Sequence, residues 1–291
     1  MYIATLLADP ARANLDRAAV ESLRDAWGGA DAHWLNPGIA AEFALARMPD
    51  NRWQVWEGLQ ALGLDLVVQG ADGRRKKMLL ADMDSTMIEQ ECIDELGAMA
   101  GKGAQIAAIT ARAMNGELDF DAALIERVSL MRGLPEAVIG DVLKNRITYR
   151  AGGQTLVATM KAHGGHAALV SGGFTAFTAP VAAHLGFDEQ RANRLLVSCG
   201  KLTGEVARPI LGRDAKVVAL HEITARLGLT AAEVMAVGDG ANDLGMLGVA
   251  GAGVALHAKP TVAAHCDIRI NHGDLTALLY IQGYSVAEFA K

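Results

Sequence analysis

Residues 77–86 read KMLLADMDST, an apolar run that ends in two carboxylates, Asp82 and Asp84. Residues 78–83 lack helical spacing and are few, which predicts a buried strand that delivers Asp82 to its carboxyl end. In open α/β sheets, ligands bind at that end of the strands. Two neighbouring carboxylates repel each other unless a cation or a shared proton compensates, and a hard cation such as Mg2+ is their natural partner. The alternative is that both acids only end the strand and cap the following helix.

A second acidic segment repeats this arrangement far along the chain. Residues 233–238, EVMAVG, predict another buried strand, and residues 239–243, DGAND, follow it before a helix-like run. Glycines on both sides of Asp239 allow a sharp turn, so Asp239, Asn242 and Asp243 can converge on the same cation. Taken alone, the segment suits a turn and a helix cap equally well.

Two smaller signals lie between these segments. Residues 166–173 predict a strand followed by a polar turn, with Ser171 and Gly172 at the strand end. Lys216 stands at the start of an apolar helical pattern. A hydroxyl, glycine amides and a lysine at a helix start together make a phosphate cradle. Each signal alone also suits a plain turn or a solvated lysine.

The order of the four segments resembles the haloacid dehalogenase superfamily of phosphohydrolases. Its motifs run DxDx[TV], then Ser or Thr after a strand, then Lys, then DxxND, and all four occur here in that order. Within the superfamily the sequence is similar to phosphoserine phosphatases, through Glu91 nine positions after Asp82 and through segments 114–120 and 126–130. The resemblance covers residues 77–285. It implies a Rossmann-like α/β core with a parallel sheet and a small inserted helical cap of the C1 type.

The same resemblance implies a role for each motif residue. An aspartate nucleophile would form an aspartyl-phosphate, a second aspartate would act as acid and base, and Mg2+ or Mn2+ would offset the negative charge. The residues so implied are Asp82 as nucleophile; Asp84 as acid and base; Ser171, the Gly172 amide and Lys216 for the phosphoryl oxygens; Asn242 beside the substrate; and Asp82, Asp84 (through its carbonyl), Asp239 and Asp243 for the metal.

Residues of about 88–150 lie between the first motif and the rest of the core and show helical apolar spacing, so we interpret them as the cap. By the resemblance, Glu91 would meet a substrate ammonium and Arg127 a substrate carboxylate, while Met114 and Phe120 would line the apolar side. A Met and a Phe in a helical region also suit plain core packing. The implied reaction is hydrolysis of O-phospho-L-serine to L-serine and phosphate, the last step of L-serine biosynthesis.

Two other functions remain open at this stage. A phosphotransferase, or a phosphatase for another small phosphate ester, would keep the phosphate site without needing Glu91 and Arg127. A non-catalytic, amino-acid-binding regulatory protein on the same scaffold would be expected to lack Asp82 or Asp84, and both are present.

Residues 1–72 match none of these motifs and predict a separate N-terminal domain, with residues 77–291 forming the phosphatase domain. The pattern is strand 2–7, helix 13–27, strands 32–35 and 41–47, helix 53–62 and strand 65–69, the βαββαβ order of a ferredoxin-like α+β fold. Many phosphoserine phosphatases carry such a domain, related to amino-acid-binding ACT domains. Residues 8–11 offer no glycine-rich ligand loop, so a homodimer or cap contact is as well supported as ligand binding.

Composition sets broad limits on function. The chain has 291 residues, 51% of them hydrophobic, and a net charge of -6, which suits a soluble enzyme and gives no support to nucleic-acid binding. No apolar run approaches the ~20 residues that cross a bilayer, so we expect no membrane partner and a cytoplasmic location. Three distant cysteines indicate neither a zinc site nor a disulfide framework. The basic run at 74–77 predicts a solvated linker.

Overall fold

The computed structural model describes residues 1–114, 117–212 and 214–290, with the side chain of Met114 outside this description. The strands are β1 (Tyr2–Ala8), β2 (His33–Asn36), β3 (Ala40–Leu45), β4 (Leu64–Gly70), β5 (Met78–Ala81), β6 (His166–Phe174), β7 (Glu189–Asn193), β8 (Leu195–Ser198), β9 (Lys201–Val206), β10 (Val234–Gly238), β11 (Ala252–Leu256) and β12 (Ile268–Ile270). The α-helices are α1 (Arg17–Trp27), α2 (Arg52–Gln60), α3 (Cys92–Met99), α4 (Gly103–Met114), α5 (Phe120–Ser129), α6 (Ala137–Asn145), α7 (Gly153–Ala162), α8 (Thr175–Leu185), α9 (Ala215–Leu227), α10 (Leu244–Val249), α11 (Pro260–Ala263) and α12 (Ala277–Tyr280).

The N-terminal strands form an antiparallel sheet in the order β2-β3-β1-β4. One face packs against α1 and α2 through an apolar cluster that includes Leu6, Val20 and Phe43. Side chains alternate in direction along a strand, so Leu7 lies on the opposite face and joins a different cluster. The order of elements and of strands is that of the ferredoxin-like fold, which confirms the predicted βαββαβ pattern.

The central sheet has six parallel strands in the order β12-β11-β10-β5-β6-β7. All four residues of β5 are fully buried, because successive side chains enter apolar clusters on opposite faces of the sheet. Burial on both faces explains why residues 78–81 are continuously apolar rather than alternating. The α/β core with a parallel sheet, predicted from these strands, is confirmed.

Four helices, α3 to α6, lie between β5 and α7 and correspond to the predicted cap. An antiparallel bridge between Ile88 and Tyr149 joins the two ends of the inserted segment. The β8–β9 hairpin packs against the cap, since Gly133 N donates to Leu202 O at 2.8 Å and Leu202 N donates to Leu134 O at 2.8 Å. None of the helices in the described chain combines the length and apolar character needed to cross a membrane.

The two sheets are joined by a shared apolar core. Leu7 and Val67 lie on the face of the N-terminal sheet that points away from α1 and α2. They belong to the same cluster as Leu278 and Tyr280 of α12. Asp65 of β4 is fully buried, and its carboxylate accepts hydrogen bonds from the backbone N–H groups of residues 271–273 at 2.8–2.9 Å. The N-terminal sheet therefore packs face-on against the α/β core.

The prediction of a solvated linker at residues 74–77 is wrong at Arg74. Its guanidinium donates to both oxygens of the Glu42 carboxylate, at 2.5 and 2.8 Å, and the two side chains are only 18% and 12% exposed. Glu42 lies on β3, so this ion pair ties the connecting segment to the N-terminal sheet. A run of basic letters cannot show which of its members finds such a partner.

The structure differs from the sequence predictions most clearly at β6, β7 and α1. The strand β6 continues through residues 171–174, where a polar turn was expected, because Ser171 and the glycines remain extended. The edge strand β7 was not predicted, since its sequence EQRAN has no apolar alternation. Helix α1 begins at Arg17 rather than Ala13, whose φ of 45° places it in the left-handed region outside a helix.

Candidate active site

Three adjacent strands in the middle of the sheet bring the acidic and phosphate-cradle motifs together. Asp239, Asp82 and Ser171 follow the apolar parts of β10, β5 and β6. These residues are buried, with 8%, 5% and 2% of their surface exposed. Parallel strands end at the same edge of a sheet, so segments about 70 to 90 residues apart in sequence meet in one place. The helix start at Lys216 completes the group from the side.

Lys216 lies at the centre of a buried charge cluster. Its Nζ is 2.6 Å from Asp82 Oδ1 and 2.5 Å from Asp243 Oδ1. These contacts with two carboxylates raise the pKa of Lys216 against the opposing effect of burial, so the ammonium stays charged. Burial and the charge of Asp243 raise the pKa of Asp82, while Lys216 acts in the opposite direction.

The second oxygen of Asp243 fixes the turn after β10. Asp243 Oδ2 accepts hydrogen bonds from Asp239 N at 3.1 Å and Gly240 N at 2.9 Å. A Cβ atom at Gly238 would stand 2.4 Å from the Asp243 carboxyl group, so this approach requires glycine. Thr86, fully buried behind β5, donates from Oγ1 to Asp239 Oδ1 at 3.1 Å and holds the second acid in place.

The carboxylates fit a divalent cation. One oxygen each from Asp82, Asp239 and Asp243 lie within 4.8 Å of one another, and all three residues are buried. Burial and the charge of Asp243 raise the pKa of Asp239 to about 6, while Lys259 acts in the opposite direction. Buried oxygen ligands with excess negative charge are what Mg2+ and other hard cations bind. The Asp84 carboxylate is not a member of this group; its predicted role for the metal was through the backbone carbonyl.

Asp84 is set apart from the other carboxylates by its surroundings. Its Oδ1 accepts a hydrogen bond from Cys92 N at 3.2 Å. Burial and the charge of Glu91 raise the pKa of Asp84 to about 7, so this carboxyl group can carry a proton near neutral pH. A Cβ atom at Gly173 would stand 2.8 Å from Asp84 Oδ2, which explains the bare backbone opposite the acid.

Ser171 and Gly172 form the other wall of the site. Gly173 N donates to Ser171 Oγ at 2.9 Å, which fixes the hydroxyl beside the exposed backbone of the strand end. A Cβ atom at Gly172 would stand 2.8 Å from the Phe120 ring, so the cap closes directly onto this glycine. Phe120 thus lines the site, and its ring also packs against the main apolar core.

The cap and core enclose a cavity of ≈ 170 Å³ between these groups. This is smaller than the roughly 300–1,000 Å³ of pockets for drug-sized ligands, so the cavity suits a small molecule. The lining residues are Asp82, Asp84, Glu91, Ile93, Thr110, Ala113, Phe120, Leu124, Arg127, Ser171, Gly172, Gly173, Phe174, Asp239, Gly240, Ala241, Asn242, Lys259 and Thr261. Lys216 and Asp243 lie behind the lining, and the predicted contribution of the Met114 side chain falls outside the described residues.

The cap contributes two residues of opposite charge to the lining of this cavity, Glu91 and Arg127. Glu91 Oε1 accepts a hydrogen bond from Ser85 Oγ at 2.7 Å. Arg127 is partly buried, and no carboxylate of the described residues comes within ion-pair distance, 4.0 Å, of its guanidinium. A half-buried guanidinium with no carboxylate of the described residues at ion-pair distance is suited to an anionic ligand.

Sequence reasoning missed other residues of the site. Lys259 and Thr261 line the cavity after β11, and the same strand-end argument that found Asp82 could have found them. Thr110, on the cap helix α4, also lines the cavity, but a single threonine in a helical pattern carries no sequence signal.

Comparison with known families agrees with this geometry. Residues 79–248 match the model of the haloacid dehalogenase-like hydrolases, which is more than half of the chain. The chain belongs to this family. The match begins within β5 of the hydrolase core and ends in α10, so it includes both acidic segments, the phosphate cradle and the cap.

Individual relatives of this hydrolase are named phosphoserine phosphatases. A phosphoserine phosphatase of Mycobacterium tuberculosis is 39% identical over 77% of this chain and 55% of its own length. One of Lactococcus lactis is 44% identical over 70% of this chain and 94% of its own length. The chain spans 55%, 62% and 64% of the first three curated relatives. A solved HAD family hydrolase from Salmonella enterica serovar Typhi matches with a TM-score of 0.86 and 29% identity, covering 97% of this chain and 98% of that one.

Proposed function

We propose that this hydrolase converts O-phospho-L-serine to L-serine and phosphate through an aspartyl-phosphate on Asp82. The observation that carries the proposal is one small cavity with a carboxylate nucleophile at its base and two opposite charges, Glu91 and Arg127, on its cap wall. A phosphate ester that also bears an ammonium and a carboxylate is complementary to all three features. The relatives from Mycobacterium tuberculosis and Lactococcus lactis are named phosphoserine phosphatases, which supports the same substrate.

The first step transfers the phosphoryl group to the protein. An oxygen of the Asp82 carboxylate attacks phosphorus, and the bond between phosphorus and the serine oxygen breaks. The protonated Asp84 carboxyl group gives its proton to the departing serine oxygen, a role that its raised pKa permits. The Lys216 ammonium, 2.6 Å from Asp82 Oδ1, keeps the nucleophile in one orientation.

The second step restores the enzyme. Asp84, now a carboxylate, takes a proton from water as the water oxygen attacks phosphorus. The bond between phosphorus and the Asp82 oxygen breaks, which releases phosphate and the free carboxylate. Ser171 Oγ and the Gly172 N–H, both of residues that line the cavity, would donate to phosphoryl oxygens in both steps.

The metal fits the same scheme. Asp82, Asp239 and the backbone carbonyl of Asp84 would hold Mg2+, and Asp243 and Asn242 would support them. The grouping of Asp82, Asp239 and Asp243 oxygens supports this assignment. When bound, the cation offsets the repulsion between the Asp82 carboxylate and the phosphate dianion.

A comparison of two substrates tests the proposal. The full chain is assayed with Mg2+ for phosphate release from O-phospho-L-serine and from p-nitrophenyl phosphate, which lacks both charges of the amino acid. We expect kcat/KM to favour phosphoserine by at least about 100-fold, because the charged cap groups are left without partners by the plain ester. Equal values would keep the phosphatase chemistry and remove the substrate assignment. No release from either would favour a non-catalytic amino-acid-binding protein.

Variants of the cap charges sharpen this test. Arg127→Met should lower kcat/KM for phosphoserine and leave that for p-nitrophenyl phosphate almost unchanged. Glu91→Gln should lower kcat/KM more for phosphoserine than for p-nitrophenyl phosphate, and should shift the pH profile of both to lower pH, because the charge of Glu91 raises the pKa of Asp84. Glu126→Gln is the matched control, since Glu126 is exposed on the same helix as Arg127 and lies outside the cavity lining. If both cap variants lost activity equally on the two esters, their role would be structural.

We also propose the wider setting predicted from the sequence. It comprises domains at residues 1–72 and 77–291, a cap at about 88–150, a cytoplasmic location, a place as the last step of L-serine biosynthesis and a homodimer. The two sheets and the helices α3 to α6 support these boundaries. An amino-acid-binding role of the N-terminal domain has less support, because the sheet face opposite α1 and α2 is covered by the core.

A further inference from the structure

The orientation of Arg127 depends on groups outside the set identified from the sequence. Its Nε donates to Ala123 O at 3.2 Å, one turn earlier on α5, and its Nη1 donates to Thr110 Oγ1 at 3.2 Å on the neighbouring helix α4. Two of the five guanidinium N–H groups are therefore held by the cap itself. The remaining ones stay available for a ligand in the cavity that Arg127 and Thr110 both line.

Behind Thr110 stands a carboxylate, Asp94 of α3. Burial lowers the pKa of Arg127, and among the charges that oppose this the Asp94 carboxylate has the largest effect. Burial raises the pKa of Asp94, and the Thr110 side chain acts against that rise. Asp94 Oδ1 is buried and has no hydrogen-bond partner among the described residues. A threonine hydroxyl has one donor and can also accept, so it can serve the carboxylate and the guanidinium at once.

We propose that Thr110 and Asp94 are positioning residues that aim the Arg127 guanidinium at the carboxylate of the substrate. This inference rests on the proposed function and deepens it. Three cap helices meet at these side chains: α3 through Asp94, α4 through Thr110 and α5 through Arg127. The hydroxyl holds Nη1 from one side and the Ala123 carbonyl holds Nε from the other, so the planar fork has one orientation.

Positioning of this kind has a specific kinetic consequence. A guanidinium fixed before the substrate arrives loses less conformational freedom on binding than a mobile one. Loss of the hydroxyl should therefore weaken the binding of only those substrates that offer a carboxylate to Arg127. O-Phosphoethanolamine is the matched probe, because it retains the phosphate and the ammonium of phosphoserine and lacks the carboxylate.

The test is the steady-state kinetics of Thr110→Val and Thr110→Ser on O-phospho-L-serine and O-phosphoethanolamine. Valine keeps the shape and removes the hydroxyl, so we expect KM for phosphoserine to rise about tenfold with kcat changed by less than about twofold. KM for phosphoethanolamine should stay at the wild-type value. Serine restores the hydroxyl and should restore KM for phosphoserine, which a purely structural role would not require.

Asp94→Asn provides a second variant with the same expected direction. Its control is Glu95→Gln on the same helix, because Glu95 pairs with Arg146 at 2.9 Å, and among the described residues no ion pair joins it to Arg127. Thermal unfolding followed by circular dichroism confirms that each variant is folded. A Thr110→Val enzyme that discriminates between the two esters as well as the wild type does would overturn the positioning role alone. A wild-type enzyme that does not discriminate would overturn the substrate assignment, and the positioning role with it.

Discussion

Gly173 shows how a single residue without a side chain can matter for catalysis. A Cβ atom there would meet Asp84 Oδ2 at 2.8 Å and Ser171 Oγ at 3.1 Å, and both are groups assigned to the chemistry. We expect Gly173→Ala to lower kcat for phosphoserine by about 100-fold, because displacement of a reacting group by about 1 Å can cost that much. The measurement is kcat/KM beside a denaturation curve.

Gly140→Ala is the matched control for that substitution. Gly140 lies in α6, and an added Cβ there meets nothing within 4 Å. Alanine at this site should keep full activity and raise stability by roughly 0.5–1 kcal/mol through its better helix propensity. If Gly173→Ala were as active as Gly140→Ala, Asp84 and Ser171 would not need the positions that they occupy.

The buried acids predict a binding event that can be measured without turnover. Addition of Mg2+ should raise Tm of the wild type, because the cation binds a preformed site in the folded chain. Asp239→Asn should reduce that rise and abolish phosphate release, while Asp141→Asn, an exposed acid on α6, should behave as the wild type. Chelation by EDTA should stop phosphate release, and added Mg2+ should restore it. An equal rise of Tm in Asp239→Asn would place the cation elsewhere.

At the residue scale, prediction from sequence succeeded where chemistry follows a strand. Asp82, Asp239 and Ser171 stand directly after apolar runs, so their placement at one sheet edge follows from topology alone. Thr86 and Thr110 were not found, because each acts by contacting a residue from a distant part of the chain. Such contacts depend on how helices pack, which a residue pattern does not specify.

At the element scale, the start of α5 controls the placement of three cavity residues, Phe120, Leu124 and Arg127. Asp119 caps this helix, and its side chain accepts from Asp121 N at 3.1 Å and Ala122 N at 3.3 Å. Asp119→Ala should lower the free energy of unfolding by about 1 kcal/mol, the usual value of an N-cap. Asp119→Asn should keep most of that stability, because asparagine also caps well.

Chemical denaturation of the two Asp119 variants makes the comparison, with KM for phosphoserine as the second readout. The helix begins at Phe120 and carries Arg127 two turns later, so a frayed start should raise KM as well. Equal stability of the alanine and asparagine variants would mean that the cap contributes nothing. In that case the neighbouring helices α4 and α3 would hold α5 in place.

Strands could be predicted from the sequence where one or both of their faces are buried, because burial produces an alternating or continuous apolar pattern. Strands β5 and β10 are apolar throughout and were found with boundaries within two residues. Strand β7 lies at the sheet edge with intermediate exposure, so its polar sequence gave no period to detect. The extension of β6 through Gly173 was missed because glycine and serine usually signal a turn.

At the scale of the whole molecule, the shared core predicts that both sheets unfold together. All four tryptophans, Trp27, Trp34, Trp53 and Trp56, lie in the N-terminal region, so fluorescence reports on that region alone. Far-ultraviolet circular dichroism reports on the entire chain. We expect the two denaturation curves of the wild type to coincide, because Leu7 and α12 share one apolar cluster. A fluorescence transition that precedes the other would contradict the shared core.

The buried Asp65 is the residue on which that coupling depends most. It accepts three backbone hydrogen bonds from the loop after β12, and an asparagine would turn an N–H group toward those donors. Asp65→Asn should therefore lower the free energy of unfolding by about 2–4 kcal/mol and move both curves together. Asp31→Asn, an exposed acid of the same region, should leave both curves in place.

The central claim, phosphoryl transfer from O-phospho-L-serine to Asp82, is tested most directly by trapping the phosphorylated protein. The enzyme is mixed with phosphoserine that carries a labelled phosphate, quenched in acid and mapped by mass spectrometry. We predict label on Asp82 in the wild type and none in Asp82→Asn. This variant should be folded, with a single cooperative unfolding transition, and should release no phosphate. Label on another residue, or sustained turnover by Asp82→Asn, would contradict the mechanism.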